Sequence, residues 1–347
     1  MTGVTLDLRG DNSTRLWGIT NAERTRRMAR QLGWSTEGGE GPAVLVDLAY
    51  AVDPLWLAHI GSRPGSSLTL GGETVLANGS GGEVFRAEEE RGIYNQGLRK
   101  RERPFVLPLT PATVPAIERL SYAGAYKGVT DLLTKYLWPG WAFQLTRLAA
   151  RIGLSPNGVT AIGTVLCVVA TIAFWYGWFW SGLATGLAFM VLDTVDGKLA
   201  RCTVTSSALG NIWDHGIDLV HPPFWWWAWC VGCAAYGRPL SDGAFGWTLG
   251  AIIGGYVVQR LIEGIFMRRF GMHIHVWHKA DSDFRLVTAR RNPNMVILFA
   301  GLLVTRPDWG IVAVAWWTVL SCAFHLVRLL QASAAQRRGE AITSWLA

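Results

Sequence analysis

The sequence predicts an α-helical membrane protein of six transmembrane helices, with an amphipathic juxtamembrane helix and a small α/β domain ahead of it. Three observations carry that expectation. Half of the 347 residues are hydrophobic and 19 are Trp, which is unusual for a soluble chain. Beyond residue 156, apolar segments recur that are long enough to cross about 30 Å of hydrocarbon at about 1.5 Å per residue. Before residue 110 no such run occurs, and the chain there is charged and Gly-rich.

The elements follow in chain order. "DNSTRLWGITNAERTRRMARQLGW" reads as a polar loop entering a basic helix, and "PAVLVDLAYAVDPLWLAHIG" as a buried strand, a loop and a second helix. "SSLTLGGETVLANG" adds short strands joined at glycine turns. Residues 1–110 are thus expected to form the α/β domain, and the Pro-spaced stretch 111–126 a linker. Residues 127–155 mix basic and bulky apolar side chains at helical spacing, which suits helices lying in the headgroup region. The spans are expected near 156–177, 179–201, 206–236, 243–267, 292–306 and 309–330, within a membrane domain of residues 156–335.

Charge sets the expected orientation. The net charge is +7, but in so hydrophobic a chain Lys and Arg serve as cytoplasmic anchors facing anionic lipid, and no nucleic-acid partner is expected. Six Lys or Arg lie between Arg268 and Arg291, so that loop and both termini are expected on the cytoplasmic side of an inner membrane. The amino end lacks the basic and apolar regions of a signal peptide. The five cysteines sit in or beside apolar segments, and the Cys230-x-x-Cys233 pair has no second pair to complete a zinc site.

Residues 191–220 hold four aspartates in an otherwise apolar setting. One ionised aspartate at mid-span costs about 2.5–3.5 kcal/mol, so four together require a cavity and countercharge. At about 100° per residue, Asp193, Asp196, Gly197, Ala200 and Arg201 share one face of the second span, and Gly210, Asp214 and Asp218 one face of the third. Carboxylate oxygens in that number suit Mg²⁺ or Mn²⁺ better than zinc. The small residues leave room for a ligand against backbone, and the Arg201 fork is shaped for a phosphate.

The pattern Asp193-x2-Asp196-Gly197-x2-Ala200-Arg201-x8-Gly210-x3-Asp214-x3-Asp218 resembles the signature of the CDP-alcohol phosphotransferases, with every fixed position present. "SPNGVT" (155–160) resembles that family's entry to its first span. The resemblance implies six transmembrane helices, a homodimer, and displacement of CMP from a CDP-linked donor, CDP-diacylglycerol or a CDP-polyol, by an alcohol. It implies a site for a divalent metal, as two ions, on all four aspartates, with Asp218 as base for the acceptor hydroxyl. Asp196, Gly197, Ala200, Arg201 and Gly210, with Asn157 and Thr160, would surround the CDP group.

Acceptor-binding candidates are Arg260, Arg285, Arg290 and Arg291, which would grip a phosphate on the acceptor, and His221, one turn beyond Asp218. The first 110 residues resemble, in order and position, the nucleotidyltransferase half of bifunctional inositol-phosphate cytidylyltransferase/dialkyl-inositol-phosphate synthases. Their loop "LDLRGDNSTRLWGI" departs from that family's Gly-rich phosphate loop, which implies a non-catalytic domain; Asp47 and Asp53 are candidate remnants of a metal site. Two other classes compete. An Asp-rich intramembrane prenyltransferase would need a second distant Asp cluster, and none follows residue 218; a non-catalytic lipid-binding scaffold would be expected to have lost an aspartate, and none is missing.

Overall fold

The computed structural model describes residues 3–37, 41–89 and 92–347. The chain separates into two compact units: one comprises residues up to Gly128 with Phe143–Pro156 and Gly197–Ser206, the other Val129–Ala142, Asn157–Asp196 and Ser207–Ala347.

The first unit is α/β. A five-stranded sheet runs in the order Thr5–Arg9, Ala43–Asp47, Glu73–Asn78, Ser67–Leu70, Val84–Arg86. The first two strands pair in parallel, with Leu6 opposite Val44, while Ala43–Asp47 and Glu73–Asn78 are antiparallel. Helix α1 (Asn21–Gln31) starts at Thr20, whose hydroxyl accepts from Glu23 N, and α2 (Pro54–Gly61) starts at Asp53, whose carboxylate accepts from Leu55 N. Alternating Val44 and Val46 meet Trp56, Leu57 and Ile60 of α2 in the core. Trp56 is fully buried and its indole N–H reaches Pro104 O at 3.0 Å.

The stretch expected to be a linker instead holds helix α3 (Val114–Gly124). Its Pro115 falls in the first turn, where a missing N–H costs nothing, and its buried side chains Ile117, Glu118 and Tyr122 recur at helical spacing. Helix α4 (Trp138–Arg151) follows a π-helical turn at Leu133–Leu137, and the unit division falls inside it.

The second unit is helical: α5 (Pro156–Trp175), α6 (Phe179–Cys202, shared with the first unit beyond Asp196), α7 (Ala208–Ala235), α8 (Asp242–Phe270), α9 (Lys279–Arg285), α10 (Arg291–Leu303) and α11 (Pro307–Arg337). A helix thus lies at each of the six expected spans. Among the described residues, only α5, α8 and α11 are long and apolar enough by length and composition to cross a membrane. The charged side chains of α6 and α7 lower their hydropathy, and the 13 residues of α10 rise only about 20 Å.

Aromatic packing holds this unit together. Phe174, Trp225, Trp229 and Phe179 are buried within 2%, with Phe179 and Trp229 stacked at 4.3 Å. A Cβ on Gly232 would sit 1.8 Å from Phe174 O, so glycine is what permits α5 and α7 to approach here. Cys230 and Cys233 are buried free thiols in the same cluster, packed as small hydrophobes. Helix α7 continues through Pro222 and Pro223. Pro223 leaves Leu219 O without its helical N–H, and the Tyr256 hydroxyl of α8 donates to that carbonyl at 3.1 Å.

Candidate active site

Helices α6 and α7 bring Asp193, Asp214 and Asp218 together, with one ligand oxygen from each within 4.8 Å of the others. The periodicity explains the pairing locally: Asp214 and Asp218 lie one turn apart on α7. Tertiary structure then adds a cation. Arg291, at the start of α10, donates from Nη2 to Asp193 Oδ2 at 2.7 Å and from Nη1 to Asp218 Oδ1 at 2.6 Å. Its guanidinium lies 4.9 Å from the Phe189 ring centroid, so one face rests on an aromatic while the edge spans two carboxylates.

Asp196 is held by α5: Thr160 Oγ1 donates to Asp196 Oδ2 at 2.6 Å. Asn157, one turn earlier on α5, lies against Gly210, where an added Cβ would stand 2.6 Å from the Asn157 side-chain oxygen. Gly210 N in turn donates to Ser207 Oγ at 3.1 Å, the cap of α7. Four of the residues that the resemblance places around a CDP group, Asn157, Thr160, Asp196 and Gly210, thus meet one another in pairs.

Gly197, Ala200 and Arg201 continue α6 within the first unit. There Arg201 Nε donates to Ala125 O at 3.0 Å, and a Cβ on Gly197 would meet the Arg201 guanidinium at 3.1 Å. Arg201 lines a cavity of about 220 Å³ together with Arg24, Asp53, Glu102 and Ser121. Lys198, which the sequence reading passed over although it lies inside the motif, also donates to Ala125 O, at 3.1 Å, with its ammonium 3.6 Å from the Tyr126 ring centroid.

Asp47 and Asp53 do not form a metal cluster among the described residues. Asp47 pairs with Arg9 at 2.7 Å and accepts from Ala49 N, and Asp53 caps α2. Burial pushes the Asp53 carboxyl up, opposed by the Leu55 N–H and the charge of Arg24.

The candidate acceptor arginines have acidic or polar surroundings of their own. Arg260 reaches Glu263 at 3.4 Å, Arg290 also pairs with Glu263, and Arg285 is buried. Beside them, Asp131 accepts from Asn292 at 2.9 Å and from Thr134 N at 3.0 Å. Burial raises the Asp131 carboxyl, but the charge of Arg285 and those hydrogen bonds outweigh it, and the net shift is downward. Glu263, His275 and His325 form a second cluster of possible metal ligands within 4.8 Å. Glu263 is the single carboxylate of that cluster and Arg290 already pairs with it, whereas Arg291 meets only two of the three clustered aspartates, so the aspartate cluster keeps the more negative charge for a cation.

Residues 154–289 match the sequence model of the CDP-alcohol phosphatidyltransferase family, less than half of the chain and none of its first 153 residues. The chain is 31% identical to cholinephosphotransferase 1 of Danio rerio over 143 residues, 38% of this chain and 36% of the relative. It is 34% identical to cholinephosphotransferase 1 of Gallus gallus over 134 residues, 35% of this chain and 38% of the relative. An uncharacterised class-I family protein of Schizosaccharomyces pombe is 34% identical over 107 residues, 27% of this chain and 28% of that protein. The chain therefore spans 28–38% of the length of these relatives. Over residues 154–289 the chain is thus similar to the CDP-alcohol phosphatidyltransferase family.

Proposed function

We propose that this chain is an integral-membrane phosphotransferase that moves a substituted phosphate from a CDP-alcohol to an acceptor alcohol, releasing CMP, in phospholipid head-group synthesis. The observation that carries the reading is the convergence of Asp193, Asp214 and Asp218 inside the segment that matches the family. Relatives bearing the name cholinephosphotransferase support a small phospho-alcohol as the group transferred.

The all-oxygen donor set fits a hard divalent cation, and the family generally uses such metals. Asp193, Asp214 and Asp218, with Asp196 beside them in the motif, would hold Mg²⁺ or Mn²⁺, as two ions by resemblance, which would neutralise charge on the pyrophosphate. Of the three clustered carboxylates, Asp218 is the most open, its side chain 45% exposed against 31% for Asp214 and 20% for Asp193. It is therefore the one a substrate hydroxyl reaches. The hydroxyl proton passes to the Asp218 carboxylate, the alcohol oxygen bonds to the phosphorus bearing the substituent, and the bond from that phosphorus to the bridging oxygen breaks, with CMP keeping that oxygen. Gly197, Ala200, Arg201 and Gly210 are proposed to recognise the CDP group, and a homodimer with both termini cytoplasmic is proposed with them.

The test is CMP release by the purified full chain with Mg²⁺, across CDP-diacylglycerol, CDP-choline and CDP-polyol donors paired with soluble and lipid alcohols. At least one pairing is expected to release CMP in an acceptor-dependent manner. Absence of CMP from every pairing would overturn the reading.

The first unit is proposed to be a nucleotidyltransferase-like domain without catalysis. Its loop "RGDNSTRLWG" is filled by its own contacts: Asn12 Nδ2 donates to Leu48 O and Leu109 O at 3.1 and 3.0 Å, and Arg15 Nη1 to Gly18 O at 2.9 Å. The Thr14 N–H of that loop donates to Asn12 Oδ1 at 3.0 Å, so it is already engaged rather than turned to a phosphate. Given CTP and inositol phosphate or glycerol phosphate, the full chain is expected to yield no pyrophosphate above a no-enzyme control. CTP-dependent pyrophosphate release would show that this loop binds nucleotide after all.

A further inference from the structure

The cavity of about 220 Å³ in the first unit takes its charged wall from four separate elements. Arg24 comes from α1, Asp53 from the cap of α2, Glu102 from the strand Lys100–Glu102, and Arg201 from the last turn of α6. Asp193, Asp196, Asp214 and Asp218 are not among its lining residues. Its volume lies below that of drug-sized sites and suits a ligand of about ten heavy atoms or fewer.

Two of its charges are buried and tied to backbone. Arg24 is 2% exposed and Asp53 7%, and buried charges of opposite sign ordinarily satisfy each other. Here Arg24 Nη1 donates instead to Val52 O at 2.8 Å, and Asp53 Oδ1 accepts from Leu55 N at 2.9 Å. A guanidinium carries five N–H donors in a fixed fork, so the contact with Val52 leaves most of the Arg24 fork to the cavity that it lines. Across the cavity wall, a Cβ on Gly124 would stand 3.7 Å from Asp53 Oδ2 and 3.9 Å from Glu102 Oε2. The missing side chain thus leaves space between two carboxylates, and burial pushes both of them up.

The charges around the cavity do not cancel. Arg24 and Arg201 are matched by Asp53 and Glu102, and Lys100, whose ammonium reaches Glu102 Oε2 at 2.6 Å, adds one positive charge. A matching occupant carries about one net negative charge, sets an anion on the guanidiniums and offers N–H donors to the carboxylates. A phosphate monoester bears about −1.5 to −2 at neutral pH, and an ammonium on the same molecule brings the total near −1. A free amino acid has no net charge and leaves the wall uncompensated. A quaternary ammonium has no N–H to give a carboxylate.

We propose that this cavity binds the phosphate monoester of a small primary amino alcohol, with its phosphate at Arg24 and Arg201 and its ammonium at Asp53 and Glu102. The inference stands apart from the phosphotransferase reading and assigns a ligand to the unit proposed to lack catalysis. Arg201 belongs both to this wall and to the aspartate motif, so an occupant bears directly on the end of the motif helix.

Isothermal titration of the purified full chain with phosphoethanolamine, without CDP-alcohol or metal, reads the site without turnover. Saturable binding at one site is expected. Phosphocholine and glycerol phosphate keep the phosphate but bring no ammonium N–H, and ethanolamine and free serine lack the phosphate; each is expected to bind at least about tenfold more weakly. Asp53→Asn keeps the cap of α2, since asparagine accepts the same N–H, and is expected to weaken phosphoethanolamine binding at least about tenfold. Gly124→Val, which fills the space between the carboxylates, is expected to abolish it, while Asp218→Asn binds like the unmodified chain. Thermal unfolding curves establish that each variant is folded, and if Asp53→Asn is not, Gly124→Val carries the same decision. Absence of phosphoethanolamine binding would overturn the proposal, as would equal affinity for phosphocholine or unchanged affinity in the folded variants. Binding lost in Asp218→Asn would overturn it too, by assigning phosphoethanolamine to the aspartate cluster.

Discussion

Replacing Asp193, Asp214 or Asp218 by asparagine is expected to lower CMP release by at least about a hundredfold while the protein remains folded. Asparagine preserves shape and one oxygen but removes the charge that a divalent cation needs, and preorganised charge at a reacting phosphate is worth about 10²–10³ in rate. EDTA should give the same loss, reversed by Mg²⁺. A milder result is expected at the supporting hydroxyl: Thr160→Val, which takes the 2.6 Å hydrogen bond from Asp196, should cost about tenfold, as other outer partners of ligands do. CMP formation measured beside a thermal unfolding curve decides the matter. More than a tenth of activity surviving in any of the three asparagine variants would remove the carboxylate cluster from the reaction.

Arg291→Ala should destabilise the protein in metal-free buffer and make it depend on added Mg²⁺. The guanidinium spans Asp193 and Asp218 at 2.7 and 2.6 Å, and breaking a buried ion pair from one side costs about 3–5 kcal/mol. Asp218 is 45% exposed, so solvent screens part of that loss and about 1–3 kcal/mol is expected. A divalent cation binding the same carboxylates replaces the lost charge, and binding to the folded state raises stability by mass action. The shift in Tm on adding Mg²⁺ should therefore be larger in Arg291→Ala than in the unmodified chain. Equal shifts, or an unchanged Tm without metal, would show that Arg291 is not the counter-ion of the cluster.

Arg291 also shows where sequence reading runs out. Its type and its place in a basic loop suggested a grip on an acceptor phosphate, but nothing local distinguished it from Arg290, which turns to Glu263 instead. The two neighbours point at different acids because α10 begins between them and rotates successive side chains by about 100°. Lys198 was legible in principle, lying between motif residues Gly197 and Ala200, yet its partner Ala125 O is 73 residues away. His221 was visible as a polar residue one turn past Asp218, but its unpaired Nε2 and an apolar groove that it lines are properties of packing. Helix α3 was obscured because Pro111 and Pro115 read as linker punctuation, whereas Pro115 only opens the helix.

What the chain determines by itself is local. Helical period alone puts Asp214 and Asp218 on one face of α7, and Asp193 and Asp196 on one face of α6, because side-chain direction depends only on position along a helix. Apolar length alone marks α5, α8 and α11 as able to cross a membrane. The spacing of the motif alone pointed to the family that residues 154–289 match. Tertiary structure decided which charges meet: Arg291 with aspartates 98 and 73 residues away, and Thr160 with Asp196, 36 residues away. Those pairings depend on how helices approach one another, and approach is set by contacts such as Gly232 against Phe174 O and Gly210 against Asn157. Close packing makes such contacts collective, so no periodicity within a single segment encodes them.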